Sequence, residues 1–145
     1  MKYSEFPQKI NSNVFTFLDA RKAYSEEKPE LIKVQLSRWS KKGLVNRLMR
    51  GWYCFDKKEL DEYVLAGLFY QPSYISMETA LHYYGLIPDV PLSVTSVTTT
   101  TTKKINTSAG RFYYYKINPE LYWGFSAVNF KNAVVNLADK EKALL

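Results

Sequence analysis

Residues 29–55 read PELIKVQLSRWSKKGLVNRLMRGWYCF and contain the clearest local pattern in the chain. Three large apolar side chains, Ile32, Leu36 and Trp39, recur at intervals of four and then three residues. This spacing places them on one face of an α-helix and turns the other positions away from that face. The sequence therefore predicts an amphipathic helix over residues 30–42 that packs against a core through this stripe.

A short hairpin is predicted directly after this helix. Gly43 stands where a helix commonly ends in a left-handed conformation. Residues 44–48 have the composition of a strand, and the aromatic residues 52–55 predict the returning strand. Gly51 supplies the positive φ that a tight turn between them requires. The order of helix, glycine and two short strands is typical of a winged helix.

Two shorter helices are predicted upstream of this segment. Residues 4–10 form a short helix, limited by an internal proline. Thr16 and Asp19 have the spacing of a capping box, which predicts a helix from there to about Tyr24. We therefore expect an α+β protein in which residues 1–58 form a winged helix-turn-helix.

The remaining residues, 59–145, are predicted to form a small mixed α/β domain. The predicted strand over 111–117 contains three consecutive tyrosines. Because side chains alternate along a strand, Tyr114 should point to one face and its two neighbours to the other. This alternation favours sheet packing over a platform for single-stranded bases. The predicted elements are a helix over 60–69, a helix over 77–84 that Ser76 caps and Gly85 ends, alternating strands over 93–101 and 111–117 joined by a turn within 106–110, a helical turn over 119–123 and a helix over 139–145.

The positive charge of the chain is concentrated in its first part. Residues 1–60 contain 13 Lys and Arg against 7 Asp and Glu, whereas residues 61–145 contain 7 of each. Within residues 33–58, eight cations face the single acid Asp56. A basic block inside a foldable domain favours a polyanionic partner, usually nucleic acid; the alternative is a solvated basic face without a partner.

The predicted helix 30–42 meets the needs of a helix in the DNA major groove, since one face is apolar and the other carries cations and hydroxyls. Arginine can read guanine through two hydrogen bonds, whereas lysine and serine more often contact phosphate. Two arginines are expected at the hairpin tip, where a wing reaches the flanking backbone or the minor groove. The candidate DNA-binding residues are Lys33, Ser37, Arg38, Lys41, Lys42, Arg47 and Arg50.

The sequence offers little for catalysis. His82 is the only histidine of the chain and is expected to be a half-buried structural residue. Cys54 is the only cysteine, and its aromatic strand favours a core position over a reactive thiol. These two residues cannot supply a zinc site, and the sequence contains no glycine-rich phosphate-binding motif. We expect no enzyme, metal or cofactor; a structure whose only deep cleft gathers two or more acids would revive an enzyme as an alternative.

The cysteine content, the apolar runs and the first residues of the sequence together predict its cellular compartment. A single cysteine permits no disulfide within the chain, which fits a reducing cytoplasm. No run of residues approaches the roughly 18 apolar positions of a membrane span. The first residues lack the apolar core of a signal peptide. We expect a cytoplasmic protein without a membrane partner.

Three segments resemble motifs of the AbiEi-type antitoxins. Residues 36–53, LSRWSKKGLVNRLMRGWY, resemble the wing region of that family. Residues 72–88, PSYISMETALHYYGLIP, look like its second hallmark, and residues 141–145, EKALL, resemble its final motif. The three segments occur in the family's order and extend over most of the chain.

The resemblance implies a bacterial type IV toxin–antitoxin system of abortive infection. Family members are autorepressors whose N-terminal winged helix binds the operon's own promoter, and antitoxins that oppose a nucleotidyltransferase toxin without a stable direct complex. Winged-helix repressors commonly bind paired half-sites, so we expect a homodimer on DNA or cooperative monomers. The family's final motif normally continues past the position of Leu145. We therefore expect a fragment or a short member, in which promoter binding carries over more directly than toxin neutralisation.

A protein-interaction module is the alternative function. Winged helices are also used to dock proteins, and a fold alone does not determine function. The basic face would then bind an acidic protein, and the interaction would survive removal of nucleic acid.

Overall fold

A computed structural model describes residues 1–130 and 133–144. The chain divides into two compact units, Met1–Glu59 (unit 1) and Leu60–Leu145 (unit 2). Both units combine helices with a sheet, so the expectation of an α+β protein is confirmed.

Unit 1 is built from short elements around one longer helix. In chain order the elements are α1 (Phe6–Ile10), β1 (Val14–Thr16), α2 (Phe17–Ala23), α3 (Pro29–Lys41), β2 (Asn46–Met49) and β3 (Trp52–Cys54), followed by a 3-10 turn over Lys57–Glu59. The strands form an antiparallel sheet in the order β1-β3-β2.

The helices of unit 1 lie within two residues of their predicted bounds. The Thr16 hydroxyl accepts from the Asp19 N–H (3.1 Å), and the Asp19 carboxylate accepts from the Thr16 N–H (2.9 Å), which is the predicted capping box. Gly43, with φ of +78°, follows α3 in the left-handed conformation. Local signals therefore fix α2 and α3.

The core of unit 1 is aromatic and centres on Phe6. The Phe6 ring lies 4.8 Å from the Trp39 ring and 5.3 Å from the Phe15 ring, measured between centroids. Ile32 and Leu36 complete the buried stripe of α3, as predicted, and both are at most 1 % exposed. The stripe thus fixes the orientation of α3 about its own axis.

The sheet of unit 1 differs from the prediction in two ways. β1 was not predicted, and it pairs with β3 through Val14 opposite Cys54. The strand predicted over residues 44–48 is shifted, because Val45 is buried in the core and the ladder begins only at Asn46. Gly51, with φ of +82°, makes the predicted turn between β2 and β3.

Unit 2 is a mixed sheet with helices packed on it. Its described elements are α4 (Glu62–Phe69), β4 (Ser73–Ile75), α5 (Met77–Tyr83), β5 (Val94–Thr98), β6 (Lys103–Thr107), β7 (Gly110–Lys116), a 3-10 turn over Pro119–Leu121, β8 (Phe125–Phe130), β9 (Ala133–Ala138) and α6 (Lys140–Ala143). The strand order is β6-β7-β5-β4-β9-β8.

The predicted connection of the two strands of unit 2 by a single turn is wrong. β5 and β7 are parallel neighbours, whereas an intervening strand, β6, pairs antiparallel with β7. Asn106, assigned to a turn, lies within β6 because it pairs with Arg111. All five residues of β5 are buried rather than alternating, because other parts of the chain cover both side-chain faces of this strand.

Three further differences concern unit 2. The strands β4, β8 and β9 were not predicted. Ser76 occupies the N-cap position of α5, but its side chain makes no capping hydrogen bond, and its N–H instead donates to the Thr95 carbonyl at 3.1 Å. The final helix is shorter than predicted at Lys140–Ala143, and Leu145 lies outside the described residues.

Residues 1–130 and 133–144 contain no candidate membrane-spanning helix. None of their helices combines the length and the apolar character needed to cross a bilayer.

Candidate nucleic-acid interface

The helix α3 presents a cationic face opposite its buried stripe. Lys33, Ser37, Arg38 and Lys41 are all exposed, whereas Trp39, on the opposite side, is 3 % exposed. Residues spaced by three and four positions stack on one side of a helix, so the four polar side chains form a continuous surface. Lys42 follows as the C-cap of the helix and is exposed as well.

The hairpin turn lies beside the start of α2. The Phe17 N–H donates to the Gly51 carbonyl at 2.9 Å, and this contact ties the turn to the first residue of α2. The Lys33 Nζ lies 5.4 Å from the centroid of the Phe17 ring, within the range of a cation–π interaction. Phe17 therefore links the hairpin turn with the first half of α3.

The two arginines of the hairpin occupy different places. Arg50 lies in the turn between β2 and β3 and is exposed. Arg47 lies within β2, opposite Tyr53, and a register irregularity separates it from Met49. Of the two residues expected at the hairpin tip, only Arg50 lies there. Arg47 belongs to the strand because the turn needs only Arg50 and Gly51.

Sequence reasoning missed two apolar residues on the exposed side of α3. Leu31 is 55 % exposed and Val34 is 46 % exposed. The expectation that this face carries only cations and hydroxyls is therefore wrong. Glu30, in the first turn, also lies on the exposed side. A helical projection of every residue, rather than of the charged ones alone, could have found all three.

Cys54 lies on β3 of unit 1, and His82 lies on α5 of unit 2. Cys54 is fully buried, as expected, and burial raises the pKa of its thiol, an effect that Lys57 opposes in part. The thiol therefore stays protonated at neutral pH and is a poor nucleophile. His82 lies half-buried on α5, as expected, and no described group forms a hydrogen bond with its buried Nδ1.

A cleft in unit 1 gathers several carboxylates. Its volume is about 1010 Å³, and its lining includes Glu5, Glu26, Glu27, Glu30, Lys9 and Lys28. The Glu27 carboxylate is occupied by an ion pair with the amino group of Met1 at 3.1 Å. The enzyme alternative required that the only deep cleft be of this kind, whereas unit 2 has a second cleft of about 670 Å³ lined by residues such as Gln71 and Asn136, so this condition is not met. The lysines and the amino group also offset much of the negative charge of the unit 1 cleft.

The tyrosines of β7 alternate as predicted. Phe112 and Tyr114 are buried, whereas Tyr113 is half-buried and Tyr115 is 38 % exposed on the other face. The Lys104 Nζ lies 5.2 Å from the Tyr113 ring centroid. Packing thus accounts for Tyr114 but leaves Tyr115 largely in solvent.

The chain matches no protein-family model, and the search of curated proteins found no significant match. The resemblance to the AbiEi-type antitoxins therefore rests on the three sequence motifs alone.

Proposed function

We propose that unit 1 is a winged helix-turn-helix that binds duplex DNA, with α3 in the major groove and the β2–β3 hairpin as the wing. One observation carries this proposal. A 13-residue helix buries Ile32, Leu36 and Trp39 and directs Lys33, Ser37, Arg38 and Lys41 into solvent. An exposed face with several donors and a rigid apolar anchor is what a groove-reading helix needs.

The sheet of unit 1 supports the role of the hairpin. In winged helices a short strand before the second helix commonly joins the hairpin, and β1 has that position in the order β1-β3-β2. The hydrogen bond from Phe17 to Gly51 holds the turn close to α2. Arg50 on that turn could then contact a flanking phosphate while α3 occupies the groove.

We further propose that the whole chain is a transcriptional regulator, an autorepressor that binds its own promoter and acts as the antitoxin of a type IV toxin–antitoxin system. Only the sequence motifs support this part. The functional partner would be a nucleotidyltransferase toxin that the chain opposes without a stable complex. Binding to paired half-sites would make a homodimer on DNA the operating form.

The decisive experiment is a binding titration with the duplex immediately upstream of the chain's own gene. Fluorescence anisotropy at several salt concentrations should show an affinity that falls linearly on logarithmic axes, because each neutralised phosphate releases counterions. Arg38→Ala should weaken binding by about 1–3 kcal/mol if Arg38 reads a base. Arg111→Ala is the matched control, since Arg111 is exposed on β7 of unit 2 and should leave the affinity unchanged.

The docking of an acidic protein is the second candidate, and Leu31 and Val34 favour it as much as they favour DNA. Apolar residues amid charged ones are typical of protein interfaces as well. The two functions are separated by nuclease treatment. If the chain fails to bind DNA at low salt but retains an acidic protein after nuclease digestion, the DNA-binding proposal is wrong.

A further inference from the structure

Val34 occupies the middle of the exposed face of α3. At 3.6 residues per turn it points about 170° away from the mean direction of the buried stripe formed by Ile32, Leu36 and Trp39. It lies four residues before Arg38, so the two side chains are neighbours on the helix surface. An apolar side chain thus stands, together with Lys41, on the side of α3 that points directly away from the core of unit 1.

The surroundings of Val34 distinguish it from an incidental surface valine. Single exposed apolar residues are common on protein surfaces and need no explanation by themselves. Here Leu31, three residues earlier, adds a second exposed apolar side chain at the edge of the carboxylate-containing cleft, and Glu30 and Arg38 lie four residues before and after Val34. A β-branched residue also gains nothing in helix propensity at this position. The patch therefore combines a small apolar contact with a hydrogen-bond acceptor on one side and a donor on the other.

We infer that Val34, with Leu31 beside it, contacts the 5-methyl group of a thymine and so contributes to sequence specificity. This inference rests on the proposed function. Thymine is the only standard DNA base that displays a methyl group in the major groove, and apolar side chains are its usual contacts. Glu30 on the same face could accept a hydrogen bond only from an amino group such as that of cytosine. The centre of α3 thus faces base edges, and the cations lie around it.

The test uses duplexes selected from a random pool by the full chain. In the tightest-binding duplex each thymine is replaced in turn by deoxyuridine, which lacks only the 5-methyl group. One replacement should weaken binding of the wild-type chain about three- to fivefold, as expected for one methyl group that is no longer buried. Val34→Ala should bind the original duplex more weakly by a similar factor and should no longer distinguish thymine from deoxyuridine at that position.

Two controls keep the result specific. Val34→Ala removes an exposed side chain and favours the helix, so circular dichroism should show an intact fold. Val90→Ala makes the same substitution at a site in unit 2 that is 72 % exposed, and it should keep the full response to deoxyuridine.

The possible outcomes separate this inference from the proposed function. If the chain selects a duplex but no single deoxyuridine weakens binding, or if Val34→Ala responds to deoxyuridine as the wild type does, the thymine contact is wrong and DNA binding stands. If no duplex is selected at low salt, both are wrong.

Discussion

Tyr114 shows at the residue scale how unit 2 uses a polar group in its interior. Its side chain is 1 % exposed, and its hydroxyl donates a hydrogen bond to the Ala66 carbonyl in α4. The ring also packs edge-on against Tyr70, with centroids 5.2 Å apart. One side chain therefore attaches β7 to α4. Burial raises the pKa of Tyr114 because the phenolate would lose its hydration.

The raised pKa of Tyr114 predicts a loss of stability at alkaline pH. A group with a higher pKa in the folded state stabilises the fold below its unfolded pKa of about 10, and this contribution is lost as pH rises above that value. Tyr114→Phe should cost roughly 1–2 kcal/mol at neutral pH, because it leaves the Ala66 carbonyl without this donor. Urea unfolding at pH 7 to 11 should show a shallower alkaline decline for this variant than for the wild type.

A matched substitution checks that assignment. Tyr113→Phe removes a hydroxyl from the neighbouring, half-buried position on the opposite face of β7. It should reduce the free energy of unfolding at pH 7 by less than Tyr114→Phe does. If both variants lower the free energy of unfolding equally, the stabilising role given to the buried Tyr114 hydroxyl is wrong.

At the scale of elements, the capping box of α2 contributes measurably to the free energy of unfolding. Thr16→Ala removes the acceptor for the Asp19 N–H, and such N-cap replacements cost about 1 kcal/mol. Thermal unfolding of unit 1 should therefore shift to lower temperature. Thr16→Ser retains the hydroxyl and should keep most of the stability. If the serine variant is destabilised as much as the alanine variant, the hydrogen bond is not the source of the effect.

The elements that sequence could predict are those with local causes. The buried stripe of α3, the N-cap of α2 and the turn at Gly51 each depend on residues that lie close together in the sequence. β1 has no such cause: its three residues become a strand because Val14 lies opposite Cys54, forty residues later. The parallel pairing of β5 with β7 is likewise a long-range choice that alternation within each strand cannot reveal.

The candidate interface on α3, like the fold, was predictable from the sequence only where its cause is local. The cations of α3 follow from the helix period, because the residues of the buried stripe determine which side is exposed. Val34 was missed for a physical reason. In a hydropathy pattern an apolar residue predicts burial, and only the complete projection of α3 shows that Val34 points away from the core.

At the scale of the whole molecule, each unit contains its own core. Phe6 and Trp39 lie at the centre of one core, whereas Tyr114 and Phe112 belong to the other. The charge follows the same division, since residues 1–60 account for the full net charge of +6 and residues 61–145 are balanced. Because DNA affinity depends strongly on cation–phosphate contacts, we expect unit 1 to provide most of the binding free energy.

This division predicts where DNA protects the chain. A ligand that binds only the folded state at one hundred times its Kd adds roughly 2.7 kcal/mol of stability, and with separate cores that gain stays in the unit that binds. Native-state hydrogen exchange with excess duplex should therefore slow the most protected amides of residues 1–59 and leave those of 60–144 almost unchanged. Arg38→Ala, at the same DNA concentration, should lose most of this protection. Equal protection of both units would mean that unit 2 also contacts DNA or is coupled to unit 1 in unfolding.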